Sequence, residues 1–280
     1  MKRLKRYCKR VRQSDEDDEG LIHRPITFGD ITAADHMFPS QEARGLSDEQ
    51  SALVDAGSKR HVLRGSDGYP QGERNEQANF ESLRHFAGRY LSDKNGVLSA
   101  SDNAKELTGA ASKLGWIPDP SFPGFCPHNS SCGREVRTLK ELARPAHVAA
   151  GFHRKFWPLS VGFTAKAKTF FGLCPVLRHE RGTEPAKLKQ AKTRYEIAVG
   201  RPFAGPKYPL GALVFYKTKG DGISEPSTRP GIFAGWHVSP GLTYKGRLLI
   251  LDYEALRARS HLGTQSNPST RVVSSTNRED

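Results

Sequence analysis

A chain of 280 residues is long enough for one large domain or two modest ones. Apolar residues make up 36% and charged residues 26%, enough for a core if the chain ends stay outside it. No apolar run approaches the ~18 residues of a membrane span. The basic start Met1–Cys8 has no apolar stretch behind it, so neither a membrane-spanning nor a secreted protein is expected. The cysteines Cys8, Cys126, Cys132 and Cys174 are too few and scattered for a disulfide scaffold, and fit a reducing compartment.

The net charge is +13, from 43 Lys and Arg against 30 Asp and Glu. Seven basic residues in 2–12 are largely offset by the acidic run Asp15–Glu19. Residues 134–219 hold 18 Lys and Arg against 5 Glu and no Asp, and alone account for the excess. A basic zone inside folded-looking sequence points to a polyanion, with nucleic acid first. A basic surface without a partner is the bland alternative.

Residues 1–25 and 258–280 lack apolar periodicity and are expected to be disordered tails. In chain order, residues 26–38 predict a strand, and 52–55 and 61–64 two short ones. The Gly/Asp/Pro cluster at 65–72 predicts a loop. Phe80, Leu83 and Phe86 mark one face of a helix stopping at Gly88. Residues 97–100 predict a strand that runs into Ser101-Asp102-Asn103. Asn103 and Glu106 have capping-box spacing for a helix lined by Leu107, Ala110, Ala111 and Leu114 and ended by Gly115.

The proline-rich stretch 117–132 predicts a loop. Val136, Leu139, Ala143, Ala146 and Ala150 then recur at helical spacing, and Pro145 is expected to kink or break that helix. A further helix should start at Pro158 and reach about Phe171. Strand and helix in alternation argue for an α/β core. After residue 190 the strand-like runs 210–216, 231–237 and 247–252, punctuated by Pro240-Gly241 and Lys245-Gly246, predict a small all-β module.

Asp102 is the best catalytic candidate. A carboxylate at the end of a central strand lies at the edge of an α/β sheet, where ligands collect. Two or three such carboxylates would hold Mg²⁺ through oxygen, and two metal ions can activate the attacking oxygen and stabilise the leaving oxygen of a phosphodiester. The bland alternative is that Asp102 caps the helix behind it. Arg134, Arg137, Lys140 and Arg144 cluster around the helix that follows, with Lys166 and Lys168 on the next, as candidates to hold phosphates. Trp116, Trp157 and Trp236 fit core positions better than base-stacking platforms.

From about Phe28 to Leu256 the sequence resembles the integrase region of copia-type retrotransposon Pol polyproteins. The resemblance is carried by Phe28-Gly-Asp-Ile-Thr-Ala-Ala-Asp-His36, Ser101-Asp-Asn-Ala-Lys-Glu-Leu107, Ala110-Ala-Ser-Lys-Leu-Gly-Trp116 and Lys155-Phe-Trp-Pro158. Thr193–Pro202 and Gly231–Trp236 continue it in the same order. It implies an RNase H-like core over 26–178, a mixed sheet flanked by helices, and an SH3-like β-barrel module over 192–257. It implies Asp35 and Asp102 as the first two catalytic, metal-binding acids. It also implies two Mg²⁺ (or Mn²⁺) ions, DNA (element ends and target) as substrate, an oligomer when active, and action in the nucleus, with the cytoplasm as alternative.

The third acid of that family is a Glu in a pattern like Asn-Gly-x-x-Glu-Arg. Here the segment reads Asn129-Ser-Ser-Cys-Gly133-Arg134, with Gly133 at the expected position. Glu135 is the nearest acid, but two residues along a helix is about 200° of rotation, so it is a doubtful ligand. The acidic triad is therefore incomplete, and weak or no strand transfer is expected. The family's zinc module is reduced to Cys8 at most, and Cys126, His128 and Cys132 have non-standard spacing, so zinc is not expected. The chain resembles a fragment or decayed copy of a longer polyprotein. The alternatives are a non-catalytic nucleic-acid-binding remnant and, third, a basic protein–protein module.

Overall fold

The computed structural model describes residues 31–37, 51–58, 65–70, 75–92, 96–121, 130–174, 192–217, 228–262 and 270–274. Strands β1 (Ile31–Met37), β2 (Ser51–Ser58), β3 (Gly65–Pro70), β4 (Leu98–Ser101) and β5 (Ile117–Pro120) form a five-stranded sheet in the order β3-β2-β1-β4-β5. The β1·β2 and β2·β3 pairs are antiparallel, whereas β1·β4 and β4·β5 are parallel. Helices α1 (Glu76–Ser92) and α2 (Lys105–Lys113) pack against one face, and α3 (Ser130–Ala149) and α4 (Trp157–Phe171) against the other. This is the mixed sheet flanked by helices that the resemblance implied. Among the described residues no helix is long and apolar enough to cross a membrane.

β1 is central because both of its faces are apolar enough to bury. Ala34 packs toward Leu83, Phe86 and Leu107 on the α1/α2 side. Ala33 and Met37 pack toward Cys132 and Leu139 of α3. That alternation follows from the two-residue period of a strand.

Several expectations need correction. The third strand is Gly65–Pro70, inside the segment read as a loop, while 61–64 lies outside the described residues. β5 occupies 117–120, also read as a loop. Both are edge strands, where proline is tolerated because one side needs no donors. In β5 the amides of Ile117 and Ser121 donate toward β4, to Val97 and Ser101. Pro118 and Pro120 therefore place their missing N–H on the outer side. The helix does break at Gly88, as expected (φ 57°, ψ −163°), and a short second helical stretch completes α1 to Ser92. A side chain at Gly88 would collide with the backbone of Gly241, so the close approach of α1 to the β-module requires glycine. α3 runs through Pro145 without a break; Glu141, whose carbonyl the proline leaves without a donor, is exposed to water.

The second unit begins with α5 (Arg194–Val199), started by a Thr193 hydroxyl that accepts from the Glu196 amide at 3.1 Å. Strands β8 (Leu213–Lys217), β9 (Thr228–Ser239), β10 (Thr243–Asp252) and β11 (Thr270–Ser274) form an antiparallel sheet in the order β11-β10-β9-β8. Short β6 (Leu173–Cys174) and β7 (Lys192–Thr193) pair as a separate two-stranded sheet, and α6 (Tyr253–Leu262) follows β10. Residues 258–280 were expected to be a disordered tail. The described residues among them, 258–262 and 270–274, instead form the end of α6 and β11, whose Val272 and Val273 pair with Leu249 and Leu248. Among the described residues the four strands form an open sheet, with β8 and β11 as its edges.

An aromatic cluster joins the two units. Phe170 of α4 stacks on Phe203 at 3.9 Å between ring centres, and Phe163 stacks on Trp236 at 5.2 Å. Trp116, Trp157 and Trp236 are all buried, as expected for core aromatics.

Candidate active site

The sheet brings the two predicted aspartates together. The β1·β4 register pairs Ala33 with Ala100 and Ala34 with Ser101. The next step of that parallel ladder places Asp35 beside Asp102, on strands spaced roughly 5 Å apart. Both lie toward the carboxyl ends of adjacent parallel strands, the edge at which open α/β sheets collect ligands. Asp35 lies between Ala33 and Met37 on the α3 face. His36 turns to the other face and bonds Asn79 of α1 at 3.1 Å, which fixes the strand's orientation.

Burial, followed by the charge of Asp102, pushes the Asp35 carboxyl up from an ordinary 3.8 to about 6; a bond from the His36 backbone works weakly the other way. Two carboxylates held this close favour a shared cation. Asp102 Oδ1 is buried and has no hydrogen-bond partner, a rare state for a charged acceptor.

The capping alternative does not hold. α2 begins at Lys105, its N-cap is Ala104, and no side chain caps it. Neither Asp102 nor the expected Asn103–Glu106 box serves the helix. The donor chemistry left over, two hard oxygen ligands with an orphaned acceptor between strands, suits Mg²⁺ or Mn²⁺. Among the described residues no group of three acids, histidines or cysteines converges as metal ligands. The Cα partner of Asp35 across the β1·β2 ladder is Asp55, an acidic residue that sequence reasoning passed over. Its signal, a carboxylate at a strand position, becomes legible only once the register is known.

α3 places Gly133 and Glu135 relative to the two aspartates. Cys132 packs on Ala33 and Ala100, whose small side chains admit the helix closely. With Val136, Leu139 and Ala143 it forms the helix's buried stripe. Gly133 and Glu135 flank that stripe on opposite sides. Glu135 turns toward α4 and bonds Lys168 Nζ at 2.7 Å, with both side chains under a fifth exposed. α4 lies beside α3 toward the β3 edge, so the flank over β4 and Asp102 is the one that carries Gly133. Gly133 is exposed, and a side chain there would meet nothing within 4 Å.

The predicted basic cluster divides. Lys168 pairs with Glu135. Lys166 lies near enough to His237 of β9 for its charge to help lower the pKa of that imidazole. Arg137 pairs with Glu141 at 2.9 Å on the exposed face of α3. Lys140 and Arg144 come together at the rim of a cavity between α3 and α4. The side chain of Arg134 lies outside the described residues, as do Cys126, His128 and Asp30. Cys132 is a buried thiol and not half of a disulfide.

No family model matches the sequence, and no curated protein is similar to it. Solved structures similar to the chain include a simian T-cell lymphotropic virus intasome in complex with PP2A regulatory subunit B56 gamma. That likeness has a TM-score of 0.45 and 13% identity over 91% of this chain and 79% of that one. The catalytic core domain of BIV integrase is similar with a TM-score of 0.39 and 14% identity, over 61% of this chain and 95% of that one. Both TM-scores lie below 0.5, so the functional reading rests on the geometry of the site.

Proposed function

We propose that this chain is an integrase-type polynucleotidyl transferase of copia-type ancestry, a piece or decayed copy of a longer polyprotein, in which Asp35 and Asp102 hold a divalent cation. The observation that carries the reading is the pairing of the two aspartates at one sheet edge, with Asp102 Oδ1 buried, unpartnered and not capping a helix. A bound Mg²⁺ or Mn²⁺ would supply charge stabilisation for phosphodiester strand transfer. Asp35 and Asp102 orient it, and Lys140 and Arg144 hold DNA phosphates beside it. Two carboxylates suit one ion. The second ion of the family's chemistry lacks a carboxylate at position 133, so joining by this chain is slow or absent.

The same proposal takes the 192–257 unit as an SH3-like, DNA-holding module, the active form as an oligomer on element and target DNA, and the nucleus as the place of action. The second reading is a non-catalytic nucleic-acid-binding remnant. It is favoured by one observation, that the nearest acid, Glu135, is already engaged by Lys168.

The test is strand transfer and nicking of labelled duplex DNA in Mg²⁺ and in Mn²⁺. The native chain should give little or no product. Gly133→Glu should raise it, and Asp102→Asn in that background should abolish it. Full joining by the native chain that survives Asp102→Asn would refute the metal-pair reading. Salt-sensitive DNA binding with no product from any variant would favour the remnant.

A further inference from the structure

Between α3 and the start of α4 lies a cavity of about 240 Å³. Its floor is Met37, two residues beyond Asp35 on the same face of β1, or roughly 7 Å along the strand. Trp157 and Val161 of α4 and Ala143 of α3 complete an apolar interior, while Lys140 and Arg144 stand at the rim. No acid lines it. At this size it is smaller than the ~300–1,000 Å³ clefts that take whole drug-sized ligands, and it matches one planar ring system better than a longer molecule.

Two further observations point to a ligand rather than a packing flaw. Trp157 is only 9% exposed, yet its indole Nε1, a donor, has no hydrogen-bond partner. Trp157 lines the cavity, and a buried donor left over on such a residue is uncommon. The wall is also pinned: His147 Nδ1 and Ser160 Oγ lie 2.7 Å apart and tie α3 to α4 across the cavity. Burial, and then the charge of His153, hold the His147 imidazole below its ordinary range, so the wall stays neutral near pH 7.

We propose that this cavity receives one unpaired nucleotide of the DNA substrate, its base against Met37, Trp157 and Val161 and its phosphate between Arg144 and Lys140. The base supplies a flat apolar body for the interior, and the phosphate supplies the charge that the rim complements. Such a pocket, one step along β1 from the acids, would hold a frayed strand end in place for reaction. The inference rests on the polynucleotide reading above, but its test reads binding alone.

The experiment uses the full chain, without metal, and three duplexes. One is blunt, one has a single unpaired 2-aminopurine nucleotide at its end, and one has an abasic residue at that position. The unpaired base should tighten binding about ten-fold over the blunt and abasic duplexes, and its fluorescence should change on binding. In Val148→Trp, which fills the mouth from an exposed position, the overhang-to-blunt ratio should fall to about one. In Ala143→Leu, which narrows the interior, it should fall in the same direction. Equal affinity for all three duplexes in the native chain would overturn this pocket and leave the polynucleotide reading standing. No affinity for any duplex would overturn both.

Discussion

Removing one charge from the aspartate pair should stabilise the metal-free protein, although it removes a residue from the site. Asp35 is raised from 3.8 to about 6 by burial and by Asp102, so at neutral pH the folded state carries a charge that the unfolded chain carries without strain. A shift of that size corresponds to about 3 kcal/mol. Solvent at the open sheet edge cuts this to roughly 1–2 kcal/mol. Because the folded state holds the proton more tightly, this part of the stability falls as pH rises from about 4 to about 6, and is regained below about 4. Asp35→Asn has no such charge. It should unfold about 3–6 °C higher than the native chain at pH 7 without metal, and the advantage should vanish near pH 4. Mg²⁺ should narrow the gap from the other side by stabilising only the native chain. Thermal unfolding from pH 4 to 8, with and without Mg²⁺, measures all of this. If Asp35→Asn is destabilised by the same amount at every pH, and Mg²⁺ shifts both proteins equally, Asp35 is a packing residue and the reasoning fails.

Further outcomes follow from the flanking structure. Gly133→Glu replaces an exposed helical glycine that has open space around it, so urea unfolding should show a gain of about 0.5–1 kcal/mol, unlike the loss expected at a packed position. Lys168→Met removes the ion-pair partner of Glu135 in a place under a fifth exposed and should cost about 2–3 kcal/mol. The double variant Lys168→Met, Glu135→Leu should recover most of that loss in the same assay. Gly88→Ala forces a side chain into Gly241 at positive φ and should cost at least ~2 kcal/mol. It should also raise proteolysis at the junction of α1 with the β-module, read by limited digestion.

The parts of the fold visible in the sequence were those whose residue pattern alone determines them. β1 and β4 are apolar strands with the right period, and α4 starts on the proline that suits a first turn. β3 and β5 escaped notice because edge strands accept Gly and Pro, and these read as loop when the sheet beside them is unknown. β11 escaped because a polar strand needs its partner, β10, to be recognised. In the site, Asp102 was legible as a strand-end carboxylate, and the rotation between positions 133 and 135 was arithmetic on a helix. That Glu135 would meet Lys168, 33 residues away, depends on how α3 and α4 pack. The same packing set Lys140 and Arg144 on one rim.

The central claim is that Asp35 and Asp102 are a cation site. Mn²⁺ binding to the native chain, to Asp35→Asn and to Asp102→Asn, followed by calorimetry and by the paramagnetic resonance of free Mn²⁺, tests it most directly. The account predicts one ion bound by the native chain, affinity that falls as pH drops below about 6, and at least ten-fold loss in either variant. Binding that is unchanged in both variants, or insensitive to pH between 5 and 7, would contradict it.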